Sequence, residues 1–150
     1  MKPAIPLSIC LALVVILAAF PARAELDIVG TWKNVDARTG RAKSHIKIWE
    51  KDGIYYGKIE YLLDPSTGSR CDDCAGTRKG RPIVGMVMLW GMKKAAAKDD
   101  GLDFYSGGRF LDVGSGNDYS CRIWRMSDNK IRVRRYVFLF YRTEYWYRIK

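Results

Sequence analysis

The chain has 150 residues, with 26 Lys and Arg against 16 Asp and Glu, a formal charge of +10 and 13% aromatic residues. This length supports one domain with its own core and leaves no room for a second. Basic and acidic residues are interspersed, and the densest basic cluster, Arg132, Arg134 and Arg135, falls within a strand-like run. That distribution argues against nucleic acid and for a solvated basic surface, with an anionic envelope component as the partner such a charge favours.

The first residues carry Lys2, then an apolar run through Ile9, Leu11, Leu13, Val14, Val15, Ile16, Leu17 and Phe20, ended by Pro21 and Ala22-Arg23-Ala24. A basic start, an apolar stretch and a small-x-small site form the pattern that signal peptidase reads. Residues 1–24 are therefore expected to be a cleaved leader, residues 25–150 one mature domain, and the destination the periplasm or the extracellular space. Pro21 ends the run before the roughly 20 apolar residues that a span requires, so no stable membrane span is expected after cleavage. Cys10 sits behind Ser8-Ile9 in mid-run, where a lipid-anchor site would place a small residue before the cysteine.

Beyond the leader, short apolar and aromatic runs are punctuated by glycine turns, as in antiparallel sheet. The first run holds Ile28, Val29, Trp32 and Val35, and the second Ile46, Ile48 and Trp49. Asp52-Gly53 then predicts a hairpin into residues 54–62. Residues 64–82 are polar and rich in Gly and Pro, longer than most connections in compact domains, and so expected to be functional or fastened down. Strand character returns over 83–90, and Lys93 to Lys98 predicts at most one helical turn. Short runs follow at 102–105, 109–113 and 119–126. Residues 130–141 read as the longest single strand, with Arg132, Arg134, Tyr136, Phe138 and Phe140 on one face, and 143–149 as the last.

Eight or nine such strands without a long helix imply an all-β fold, a sandwich or a barrel. An antiparallel up-and-down β-barrel of about eight strands is favoured because closure removes exposed edges and no long crossover is evident.

Cys71-Asp72-Asp73-Cys74 places two carboxylates between two thiols, which opposes the thiolate stabilisation a redox pair needs. In an oxidising compartment the expected role is a disulfide that pins the long loop. Cys121 shares a strand face with Tyr119 and Ile123 and is expected to be a buried inert thiol, the alternative being a bridge to Cys71 or Cys74. A zinc set of Cys71, Cys74, Cys121 and His45 lacks metal-site spacing, His45 has no nucleophile motif beside it, and Asp99, Asp100 and Asp103 lack calcium-loop spacing. No catalytic residue, metal or cofactor is expected.

Several elements in order resemble the DUF2147 family of small exported bacterial proteins. They are Gly30-Thr31-Trp32, Asp52-Gly53 before Tyr56-Gly57-Lys58-Ile59, Cys71-x-x-Cys74 before Pro82-Ile83-Val84-Gly85-Met86, Gly107-Gly108 before Leu111-Asp112, and Arg142-Thr143-Glu144-x-Trp146-x-Arg148. The likeness extends over residues 27–149 and implies a calycin-like, lipocalin-type barrel. It also implies that Trp32 packs across the closed end beside a basic residue near the last strand, Arg148 or Arg142, with Trp146 part of the same supporting motif. The family's Arg-Gly-Tyr-x-Gly pattern here reads Arg134-Arg135-Tyr136-Val137-Phe138, with bulkier residues in place of glycine.

The aromatic load suits either a filled barrel or an apolar pocket with tyrosine hydroxyls to orient a ligand. Tyr136, Phe138 and Phe140 are the leading pocket candidates, with Tyr55, Tyr61, Met86 and Met88. The functional expectation is a non-enzymatic envelope protein holding a small apolar or amphipathic ligand in the barrel. The alternative is a structural or protein-interaction module whose barrel is filled by its own side chains.

Overall fold

The computed structural model describes residues 27–150, so the predicted leader lies outside the described residues. Nine strands follow in order: β1 (Gly30–Asp36), β2 (Ala42–Lys51), β3 (Ile54–Leu62), β4 (Val87–Lys94), β5 (Phe104–Ser106), β6 (Arg109–Asp112), β7 (Asn117–Ser127), β8 (Lys130–Val137) and β9 (Phe140–Arg148). All pairings are antiparallel, and β3 pairs with β4 while β9 pairs with β1, so the sheet closes on itself. Strands β5 and β6 both lie between β4 and β7 and act as one interrupted strand, which makes an eight-strand barrel. Gly108 marks the interruption, because a Cβ there would lie 2.2 Å from the Trp90 carbonyl oxygen.

Period-two alternation puts Trp32 and Asn34 of β1, Ser44, Ile46 and Ile48 of β2, Ile131, Val133 and Arg135 of β8, and Glu144 and Trp146 of β9 inside. The outer face of β7 and β8 is covered differently. Trp124 points outward yet is buried, because the guanidinium groups of Arg132 and Arg134 lie 4.3 and 5.3 Å from its ring centre and Asp99 accepts its indole N–H at 2.9 Å.

One end of the barrel is shut. The segment preceding β1 crosses it, where the Ile28 carbonyl accepts the Trp32 indole N–H at 2.8 Å and the Asp27 carboxylate accepts the hydroxyls of Tyr55 and Tyr105 at 2.7 Å each. Arg148 stacks on Trp32 at 4.2 Å and donates to the carbonyls of Asp27, Val29 and Asp128. Of the two arginines offered as the partner of Trp32, Arg148 is the one. Arg142 lies at the opposite end, beside the loop after β1.

The long connection between β3 and β4 is a folded flap with two short 3-10 turns, Pro65–Thr67 and Gly76–Arg78. Cys71 and Cys74 are joined by a disulfide and are buried, and Ile83 anchors the far side of the flap in the core. The flap closes on itself through Cys71 N–H to the Arg81 carbonyl and Ile83 N–H to the Ser69 carbonyl. It rests on the turn between β6 and β7. A Cβ on Gly116 would lie 1.9 Å from the Asp73 carbonyl oxygen, so only glycine allows that approach.

Three local expectations are corrected. The run expected as a strand over 83–90 begins only at Val87, because Ile83 to Met86 turn through Gly85 at φ 88°. Lys93 and Lys94, expected in a helical turn, continue β4 by pairing with Tyr105 and Ser106. The long strand expected over 130–141 is a hairpin, whose two strands β8 and β9 join at Phe138-Leu139.

Candidate functional site

The interior changes character along the barrel axis. Towards the closed end it is filled by Ile28, Trp32, Ile48, Tyr55, Met92, Tyr105 and Ile131. Towards the open end lies a cavity of about 270 Å³. Its apolar wall is Ile59, Leu62, Met88, Phe110 and Leu111, and its polar wall is Asn34, Lys43, Ser44, Asp112, Arg135 and Glu144. The flap contributes Asp64, Ser66 and Thr67 to the rim.

The polar wall is an ionic network. Arg135 donates to Glu144 at 2.8 Å and to Asp112 at 2.6 Å, and its guanidinium lies 4.7 Å from the Phe110 ring centre. Lys43 bridges Glu144 at 3.3 Å and Asp36 at 3.1 Å, and Glu144 also accepts the Trp146 indole N–H at 3.4 Å. Burial opposes ionisation of Asp36, but the backbone N–H groups of Thr39 and Arg38 and the Lys43 ammonium hold its carboxyl well below the usual carboxylate range. For Lys43, burial is likewise outweighed, chiefly by the charge of Glu144 and the bond to Asp36, and its pKa is raised. Three carboxylates face two cations, so the network carries no surplus positive charge to attract an anion. The Asn34 carbonyl oxygen, in a side chain only 5% exposed, has no hydrogen-bond partner among the described residues.

The pocket candidates separate. Met88 lines the cavity. Tyr55 points inward but belongs to the closed end, where its ring packs edge-on against Tyr105 at 4.9 Å. Met86 packs half-buried against the core from the turn before β4, outside the cavity. Tyr61 faces out beside His45, because the register shift opposite His45 and Ile46 inserts Glu60 as a bulge and inverts the alternation after it. Tyr136 shares the outer face of β8 with Arg132 and Arg134, while Phe138 and Phe140 are exposed at the hairpin turn. None of Tyr61, Tyr136, Phe138 and Phe140 lines the cavity, which corrects the expectation for all four.

The residues that build the polar wall, Asn34, Lys43, Ser44, Arg135 and Glu144, were not singled out from sequence. The signal that could have found them is a polar residue at an inward position of an otherwise apolar alternation, as with Arg135 after Ile131 and Val133.

The cysteines of the described residues are otherwise engaged. Cys71 and Cys74 are bonded to each other, and Cys121 lies buried with its Sγ 3.9 Å from the Met92 sulfur, its thiol pushed up to about 12 by burial. Among the described residues no group of three or more His, Cys, Asp or Glu is arranged to hold a metal ion. Among them, too, no helix is long and apolar enough to cross a membrane.

A solved structure similar to this one is protein HP1028 from the human pathogen Helicobacter pylori, described as belonging to the lipocalin family. The two share 17% sequence identity, the match covers 83% of this chain and 84% of that chain, and the TM-score is 0.68. At that identity the likeness speaks for the fold. Among curated proteins none matches the chain. Residues 30–148 match the family described as "Uncharacterized protein conserved in bacteria (DUF2147)", a span that takes in every strand from β1 to β9, and the chain belongs to that family.

Proposed function

We propose that this is an exported binding protein, cleaved after Ala24, which holds one small amphipathic molecule at the open end of its barrel. The observation that carries this reading is the cavity itself, apolar on one wall and lined on the other by Asn34, Ser44 and the ionic network. The cavity lies just below the roughly 300–1,000 Å³ usual for ligand pockets, so the ligand is small. Because the ionic network holds its cations between carboxylates, the polar end of the ligand is a neutral or cationic donor, and its apolar end lies on Ile59, Met88 and Phe110.

Native mass spectrometry of protein taken from its own compartment, before and after organic extraction, tests this. The expected result is an excess mass that extraction removes, and that Asn34→Leu lowers. An apo mass, together with failure of a small hydrophobic amine to bind, would overturn it. The same intact mass reads the amino terminus and so checks cleavage after Ala24. The alternative, an envelope interaction module with a filled barrel, is favoured by the packed closed half, and the apo outcome would select it.

A further inference from the structure

The turn between β8 and β9 is apolar where a hairpin tip is ordinarily polar. Phe138, Leu139 and Phe140 are 92%, 81% and 76% exposed, and Tyr141 beside them is also open to solvent. Phe138 has φ 55°, a left-handed conformation that is unfavourable for a bulky side chain and that glycine adopts freely. The hairpin between β2 and β3 meets the same requirement with Asp52 at φ 54° and Gly53 at φ 74°. Neither solubility nor turn geometry therefore accounts for Phe-Leu-Phe at this tip.

We infer that the β8–β9 tip is a membrane-docking element that inserts into the interface of a bilayer containing anionic phospholipid. Three observations select this occupant. The tip is convex, so it suits a deformable lipid interface better than a matching protein pocket. Its collar is cationic: from Lys130 to Thr143 the chain has no Asp or Glu, and of its cations Lys130, Arg132, Arg134 and Arg142 stay outside the barrel while Arg135 is turned into it. Arg134 lies 4.0 Å over the Tyr141 ring, while Arg142 and, across the rim, Arg38 are exposed. Aromatic side chains backed by arginine are suited to an interface that is apolar on one side and wet and anionic on the other.

The fold gives docking a consequence. The β8–β9 turn is at the same end of the barrel as Asn34, Ser44, Leu62, Asp112 and Glu144, so a docked tip turns the cavity mouth towards the bilayer. Docking itself does not depend on the cavity having a ligand.

The test is sedimentation with vesicles of phosphatidylcholine, alone and mixed with phosphatidylglycerol. It uses the processed protein, its amino terminus confirmed by intact mass so that no leader contributes. The expected result is binding to the mixed vesicles that weakens with salt. In F138G/L139S/F140T, binding falls about tenfold or more, because three interfacial apolar side chains are lost. Glycine relieves the positive φ, so that variant is expected to melt at the same temperature or higher, and F138D alone provides a second reading. Failure of the unmodified protein to bind mixed vesicles, or equal binding by the variants, overturns the inference. So does concentration-dependent self-association that the substitutions abolish, without vesicle binding, since that assigns the tip to a second copy of the chain. None of the substituted residues lines the cavity, so loss of vesicle binding with an extractable ligand retained separates docking from ligand carriage.

Discussion

Arg135 and Glu144 face each other inside the barrel, one on β8 and one on β9, with Nη2 and Oε1 2.8 Å apart and both side chains almost fully buried. Each has a second partner of opposite charge, Asp112 for the arginine and Lys43 for the glutamate. A charge pair in this position stabilises the fold only while it is complete, because removing one member strands the other away from water.

Glu144→Gln is accordingly expected to destabilise the protein by about 3 kcal/mol. Arg135→Met is expected to cost a similar amount alone and much less in the Glu144→Gln background. Urea unfolding of the four proteins measures the coupling. Additive losses would mean that the two residues act independently.

Stability is expected to fall at both ends of the pH scale. Asp36 has a folded pKa below its unfolded value, so its contribution is complete above the ordinary carboxylate range and is lost as pH falls through that range and below it. Asp36→Asn should flatten this acid limb. At the alkaline end, the Cys121 thiol is raised by burial from 9.0 to about 12, and burial with the Asp27 bond raises the Tyr105 phenol still further. Groups raised in the folded state contribute fully below their unfolded values and lose that contribution as pH rises through the folded ones. Melting temperature is therefore expected to drop from about pH 9 upwards, less steeply in Cys121→Ala, and in native protein Cys121 should react with a thiol reagent only as fast as the barrel unfolds.

Arg148 and Arg142 are separable by experiment although both lie on β9. Arg148→Ala removes three hydrogen bonds to carbonyls and the stack on Trp32, and is expected to cost about 2 kcal/mol or more. Lysine should restore little of it, since an ammonium lacks the planar fork that reaches several carbonyls at once. Arg142→Ala is exposed at the rim and should leave the melting temperature nearly unchanged. Thermal unfolding followed by circular dichroism distinguishes the two.

The Cys71–Cys74 bond closes a very short loop, so loop entropy alone gives it about 2 kcal/mol. The double variant to alanine is expected to lose that amount or somewhat more, since both cysteines are buried residues of the flap itself. Because the flap supplies Asp64, Ser66 and Thr67 to the rim, proteolysis should then cut between residues 63 and 86 before it cuts any strand. Preferential cutting elsewhere would show that the disulfide does not hold the flap.

The barrel itself was legible in the sequence. Alternation in β1, β2 and β7 and the Asp52-Gly53 turn are local signals, and the order of runs without a long crossover leads to a closed antiparallel sheet. The Cys71–Cys74 pair was legible for the same reason, since its role follows from neighbouring residues, whereas the place of Trp32 was implied only by the family resemblance. The β8–β9 hairpin was not, because Phe138-Leu139 lacks the Gly, Asn or Asp that ordinarily marks a turn. The only local hint was that residues 130–141 make a strand longer than small barrels generally use. That hidden turn, and the bulge at Glu60, moved Phe138, Phe140 and Tyr61 out of the expected pocket.

The polar cavity lies beyond any local signal. Its wall joins Asn34 of β1, Lys43 of β2, Arg135 of β8 and Glu144 of β9 with Asp112 of β6, residues brought together only when the sheet closes. The sequence by itself determined that the chain is built of alternating strands and where most of them turn, and so favoured a barrel over a sandwich, because alternation and turns depend on neighbours along the chain. Tertiary structure alone decided which end is shut, which charges meet inside and which aromatic side chains are left outside, because those depend on register across strands that are distant in sequence.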